Sequence, residues 1–153
     1  MDPDIDLRNC ARQAARRPIP WPVLAAVSAG GVVGALARYG ISVAWPHRAD
    51  GFPWSTWVIN VSGCLLIGVL MILNAELWTG RRLVRPFLGV GVLGGYTTFS
   101  TSVVDVQQAA AHGAAGVAVW YLGATLVGAM LAVWAAATAT TWAVNARRVR
   151  RER

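Results

Sequence analysis

Lysine is absent from this chain, and all fourteen of its basic residues are arginine. Acidic residues number only 7, so charged side chains make up 14% of the 153 residues. Cysteine occurs twice, at Cys10 and Cys64. Two distant thiols, one of them inside an apolar stretch, exclude a disulfide framework or a cysteine zinc site, and Cys64 reads as a packing thiol. So little charge beside 56% hydrophobic residues and a mean hydropathy of +0.47 excludes an ordinary soluble domain of this length. Nucleophile–base pairs, metal-ligand clusters and phosphate loops are also lacking, so no enzyme is expected. The formal charge of +7 invites a nucleic-acid reading, but the arginines fall in blocks outside the apolar segments. Membrane topology accounts for such blocks, and no nucleic-acid partner is expected.

What the chain does have is apolar length. A helix of about 20 residues crosses a hydrocarbon core, and four segments qualify: 23–45, 54–78, 86–111 and 116–144. Tryptophans at 21, 45, 54, 57, 78, 120 and 142 lie near the ends of these segments, as expected of rings that favour the headgroup region, while Trp134 lies inside the fourth. The expected fold is therefore an all-α membrane protein with four transmembrane helices. An arginine-rich tail over 1–22 precedes a four-helix unit over 23–144, and a second arginine-rich tail covers 145–153. Residues 1–20 are charged throughout without an apolar core, so they read as a tail and not as a secretory leader.

The third segment carries a polar run at its centre, Gly94-Gly95-Tyr96-Thr97-Thr98-Phe99-Ser100-Thr101. Two adjacent glycines and four hydroxyls at bilayer depth predict a broken third helix. Freed N–H and C=O groups are tolerated there only if they are buried in protein, line a wet cavity or hold an ion. Carbonyls beside Gly94 and Thr97 suit a small hard cation. Asn60, Ser100, Thr101 and Thr125 offer donors, which suit a small anion, and an edge-on Phe99 can stabilise one. Tyr121 shares a helix face with Thr125. Asp105 is an acid within a span and by default a functional candidate. Arg38 lies inside the first segment, where a guanidinium costs about 2.5–3.5 kcal/mol unless it snorkels or finds a partner. Gly30 and Gly34 lie four apart and predict close helix packing. His47 and His112 fall in short connections and read as solvated. Taken by themselves these residues point to a small-ion channel or transporter, with the polarity of the ion left open.

Residues 30–39 (GGVVGALARY), 57–63 (WVINVSG) and 94–101 (GGYTTFST) resemble the Fluc (CrcB) family of small fluoride channels. The resemblance implies antiparallel dimers of four-helix subunits that let fluoride leave the cell. It also implies a non-transported structural Na+ at the broken third helices, held here by the carbonyls of Gly94 and Thr97. By the same likeness Asn60 matches the pore asparagine, Arg38 the first-helix arginine, Phe99 the first pore phenylalanine, and Tyr121 and Thr125 the fourth-helix track. Two departures stand out: the second pore phenylalanine is Ser102, and the acid that follows is Asp105 instead of glutamate.

Arginine bias predicts orientation. Arg8, Arg12, Arg16, Arg17, Arg81, Arg82, Arg85, Arg147, Arg148, Arg150, Arg151 and Arg153 would share one side, against Arg48 in the opposite connections. Both termini are then cytoplasmic in a multi-pass inner (plasma) membrane protein. A chain inserted one way cannot supply both halves of an antiparallel dimer, so the expected mate is a second, oppositely oriented homologue. The rival readings are a small four-helix multidrug transporter and a non-conducting structural membrane subunit. The transporter needs an acid in its first helix, where this chain has only Arg38.

Overall fold

The structure, a computed structural model, describes residues 20–76 and 82–151. The arginines of the N-terminal tail, Cys10, Trp78, Arg81 and Arg153 lie outside them. All regular elements among the described residues are helical: α1 (Trp21–Ala44), α2 (Trp54–Glu76), α3 (Arg85–Leu93), α4 (Gly94–Tyr96), α5 (Ser100–Ala111) and α6 (Ala115–Arg151). Helices α3 to α5 together form the third apolar span, so four spans are long and apolar enough to cross a membrane. Inside a bilayer the backbone must satisfy its own polar groups, and apolar runs of this length do so as helices. Expected boundaries hold to within a few residues except at the end, where α6 runs on from 144 to Arg151. At 1.5 Å per residue its 37 residues span about 55 Å, well beyond a hydrocarbon core of about 30 Å.

Packing follows the logic of lipid solvent. Large side chains such as Val32, Leu36, Leu66, Val90, Leu126 and Met130 point outward, while Gly30, Gly34, Ser55, Thr56, Ala109, Ala118, Ala132 and Ala136 are buried. Lipid tails solvate leucine as well as protein does, so small residues that let backbones approach are what gain by going inside. Two pairings dominate: α1 lies along α3 and α4, and α2 lies along α6 with α5 beside it.

The α1–α3 pair is a backbone-to-backbone contact. A Cβ on Gly30 would meet the Phe87 carbonyl, one on Gly34 the Val92 carbonyl, one on Gly91 the Val27 carbonyl, and one on Gly95 the Gly31 carbonyl. Along this contact Arg85–Leu93 is wound as a π-helix with Pro86 in its first turn. Short π segments recur at functional sites. Helical periodicity in the sequence carries no sign of it.

At the opposite end of the bundle, the 45–53 connection folds back over α5 and α6. Phe52 meets Tyr121 edge-on at 5.4 Å and lies against Trp54 and Trp57. Trp57, half-buried in the first turn of α2, donates its indole N–H across the bundle to Ala124 O at 3.1 Å.

Candidate functional site

Helical geometry stops at Tyr96 and resumes at Ser100. Thr97 is extended, with φ −76° and ψ 157°. An uninterrupted helix would give the Thr98 N–H to Gly94 O and the Thr101 N–H to Thr97 O. Here the Thr98 N–H donates instead to Asn60 Oδ1 at 2.9 Å, and the Thr101 N–H donates to Thr98 Oγ1 at 3.1 Å. The carbonyls of Gly94 and Thr97 are thus left without their helical donors. Among the described residues no hydrogen bond reaches either. Gly95 O is served by Arg38 Nε at 3.1 Å, and Leu93 O takes both the N–H and the hydroxyl of Thr97, each at 3.0 Å.

Asn60 is the partner that α2 brings to the break. Its Nδ2 donates to Thr98 O at 2.9 Å and to Ser102 Oγ at 2.8 Å, while its Oδ1 accepts the Thr98 N–H. The side-chain amide therefore pairs with the Thr98 peptide as a neighbouring strand would. Gly63, one turn on, makes room, since a Cβ there would strike Thr97 Cγ2. Ser62 Oγ and Tyr96 OH lie 2.9 Å apart and tie the two elements again. The Ser62–Tyr96 tie was not expected from the sequence, which marks hydroxyls but not their mates.

A row of buried polar groups leads away from the break along α5. Thr98, Ser102 and Asp105 share one helix face at spacings of four and three, and all three are buried. Ser102 Oγ donates to Thr98 O at 3.1 Å while it accepts from Asn60. Across from them on α6, the buried Tyr121 hydroxyl and Thr125 Oγ1 find no partner at hydrogen-bonding geometry among the described residues, and neither does Asp105 Oδ2. Threonines elsewhere on α6 behave differently: Thr138, Thr140 and Thr141 each donate to a carbonyl of their own helix at 2.7 to 3.0 Å. That local bond is the usual resting place of a helical threonine. Thr125 forgoes it and keeps its hydroxyl for the interior.

Thr98, Ser102, Tyr121 and Thr125 line a cavity of about 700 Å³ together with Asn60, Phe99, Leu93 and Ala129, and Asp105 lies beyond that lining. Phe99 sits at its rim with 84% of its surface exposed. The other candidates fall elsewhere. Ser100 and Thr101 belong to the start of α5, where Thr98 Oγ1 donates to Thr101 Oγ1 at 2.9 Å and lies 3.4 Å from Ser100 Oγ. Arg38 stands on the α1 side of the break, and Gly94 faces open space. His47, expected to be solvated, is instead 23% exposed at its side chain, with Nε2 3.4 Å from Asp105 Oδ1.

The arrangement offers hydroxyl donors in an enclosed row and two free carbonyls at its inner end. Among the described residues no group of three His, Cys, Asp or Glu could hold a metal. The break does offer uncharged oxygens, backbone carbonyls among them, the ligand type that hard cations prefer.

A family profile described as CrcB-like protein, Camphor Resistance (CrcB), matches residues 25–137, which contain the break, Asn60 and the whole row. The chain belongs to the CrcB family. Its relatives there include fluoride-specific ion channel FluC 2 of Thermobifida fusca, 52% identical over 120 residues covering 78% of this chain and 89% of that one. FluC 1 of Streptomyces coelicolor is 51% identical over 118 residues, 77% of each chain. FluC 2 of Streptomyces avermitilis is 49% identical over 119 residues, 75% of each chain. A FluC 3 from that same organism is 42% identical over 110 residues, 72% of this chain and 54% of that one.

Proposed function

We propose that this chain is a subunit of a fluoride-specific channel that exports the ion across the cell membrane. The observation that carries the reading is the row itself: Tyr121 and Thr125 hold unpartnered buried hydroxyls beside Asn60 and Ser102, in a chain whose CrcB relatives are named for fluoride. Fluoride is small and strongly hydrated, so a pathway must replace its water with several modest donors. Hydroxyls and an amide do this without the grip of an ammonium. The relatives named above carry the names of channels, which favours neither a multidrug transporter nor a structural subunit nor an enzyme.

Within this reading the carbonyls of Gly94 and Thr97 hold a structural sodium ion. Their fit rests on the diversion of both helical donors, to Asn60 and to Thr98 Oγ1. Two carbonyls are too few for a hard cation, and an antiparallel partner would double them. The open cavity rim and the unpacked Phe99 support such a partner. Arginine bias places both termini in the cytoplasm and makes the partner a second, oppositely oriented homologue. The occurrence of FluC 2 and FluC 3 in one organism supports pairs of homologues sharing a membrane.

Liposomes containing the active assembly should release fluoride, read by electrode, far faster than they release chloride. Equal rates would defeat the reading. Reporters active on either side of the membrane, fused to the C-terminus, test orientation. Full activity of this chain purified alone would remove the need for a second homologue.

A further inference from the structure

Asp105 poses a problem for any anion path along this row. Its side chain is 6% exposed, its Oδ2 has no partner, and it lies one α-helical step beyond Ser102 toward the 45–53 connection. A bare carboxylate in that position repels an anion strongly, because the surroundings screen charge poorly. The group that meets its other oxygen comes from the connection: His47 Nε2 is 3.4 Å from Asp105 Oδ1, while His47 Nδ1 is 3.3 Å from Ser55 Oγ. Ser55 is itself buried at the start of α2 and can accept from an imidazolium or donate to a neutral ring.

We infer that His47 sets the charge at this end of the row, so that the row is neutral and open to a small anion while the imidazole holds its proton, and negative and closed when it does not. The inference rests on the fluoride-channel reading. It assigns a positioning role to a loop residue that touches the pathway only through Asp105.

The other ionisable groups on this side do not supply the same control. In the connection itself, Arg48 Nε donates to Asp50 Oδ1 at 3.0 Å, and that hydrogen bond holds the Asp50 carboxyl below the usual carboxylate range. The pair is exposed and keeps its charges while histidines titrate. From α5 comes Asp105 alone, and just past its end the exposed His112, whose Nδ1 is 2.8 Å from Gln108 O. From α6 comes Tyr121, and α2 contributes no ionisable group in its first two turns. On α1, Arg38 is committed to Gly95 O and Tyr39 is exposed.

The test is fluoride efflux from liposomes holding the active assembly, at matched internal and external pH, with protein-free vesicles subtracting leak of the neutral acid. Wild-type efflux should fall about tenfold from pH 5 to pH 8, the window in which imidazoles change charge, as expected when a like charge appears about two helical turns from the ion at an effective dielectric near 20. His47→Gln should give the low rate throughout, His47→Lys a high and flat rate, and His112→Gln the wild-type profile. Asp105→Asn should also flatten the profile. An unchanged pH profile in His47→Gln overturns the inference. If the wild-type assembly releases no fluoride at any pH, it is the channel reading that fails, and the pair is then judged by NMR of the His47 ring. In spectra at one fixed pH, Asp105→Asn should move the His47 ring resonances and leave those of His112 in place, and an unmoved His47 ring would overturn the pairing.

Discussion

The two halves of the third span meet their neighbours in opposite ways. Before the break, α3 touches α1 through glycine backbones, with no space for a methyl group at Gly30, Gly34 or Gly91. After it, α5 faces α6 across hydroxyls and a carboxylate, several of them unpartnered, beside an open cavity. One half gains from close contact. The other keeps polar groups unsatisfied in a place where each such group costs free energy. The difference teaches where to look for function: packing explains the first interface, and the second, with its unpartnered polar groups, is where the proposed ion path runs.

That contrast can be broken from the packing side. Gly34→Val puts its Cβ onto the Val92 carbonyl, and overpacking of this kind costs about 1–3 kcal/mol or more. The variant should yield little folded protein, whereas Gly40→Ala, on the same helix with open space around it, should melt at or above the wild-type temperature. Equal melting of the two in detergent would show that the glycine contact is not what holds α1 to α3.

Asn60→Leu ranks next. It strands the Thr98 N–H and removes one of two donors to Thr98 O, at about 1–3 kcal/mol for each group left unsatisfied. A lower melting temperature should accompany loss of fluoride efflux. Asn60→Asp keeps the acceptor for Thr98 N–H but loses both donated bonds, so it should recover part of the stability and none of the conduction.

Gly94→Val sharpens the comparison at the break. Among the described residues nothing lies within 4 Å of a Cβ at Gly94, so the isolated subunit should melt normally. Under the proposed dimer and cation site, dimer formation and efflux should be lost, because the crowding would come from the partner and the ion. Unchanged activity that also needs no sodium during purification would withdraw the cation site.

The smallest effect on stability is expected at Thr125→Val. Its hydroxyl makes no bond among the described residues, so removing it relieves an unsatisfied buried group and leaves the melting temperature unchanged or slightly raised. Efflux should nevertheless drop, and Thr140→Val, whose hydroxyl already bonds Ala136 O, should change neither. A stability loss at Thr125 equal to any efflux loss would mark it as structural.

Much of this was legible in the chain itself. Four apolar runs specify four spans, because a bilayer demands about 20 apolar residues and internal backbone bonding wherever a chain crosses it. Gly94, Gly95 and the hydroxyls after them mark the place where helical bonding stops, since two adjacent glycines and four hydroxyls together are a poor centre for a continuous span. Arg38, Asn60, Tyr121 and Thr125 are visible as polar exceptions in apolar surroundings.

Tertiary structure alone decided what those exceptions do. Thr125 and Thr140 are the same residue on the same helix, and only the facing helices make one hydroxyl free and the other self-bonded. Asn60 became the mate of the Thr98 peptide, and Arg38 the donor to Gly95 O, through contacts 38 and 57 residues apart in the chain. His47 looked like a solvated loop residue until the 45–53 connection folded over α5 and set it beside Asp105. Local composition determines whether a segment can lie in lipid, because that depends on each residue's own transfer free energy. Which buried polar group finds a partner depends on atoms from distant segments meeting within about 3 Å, and only the packed fold determines that.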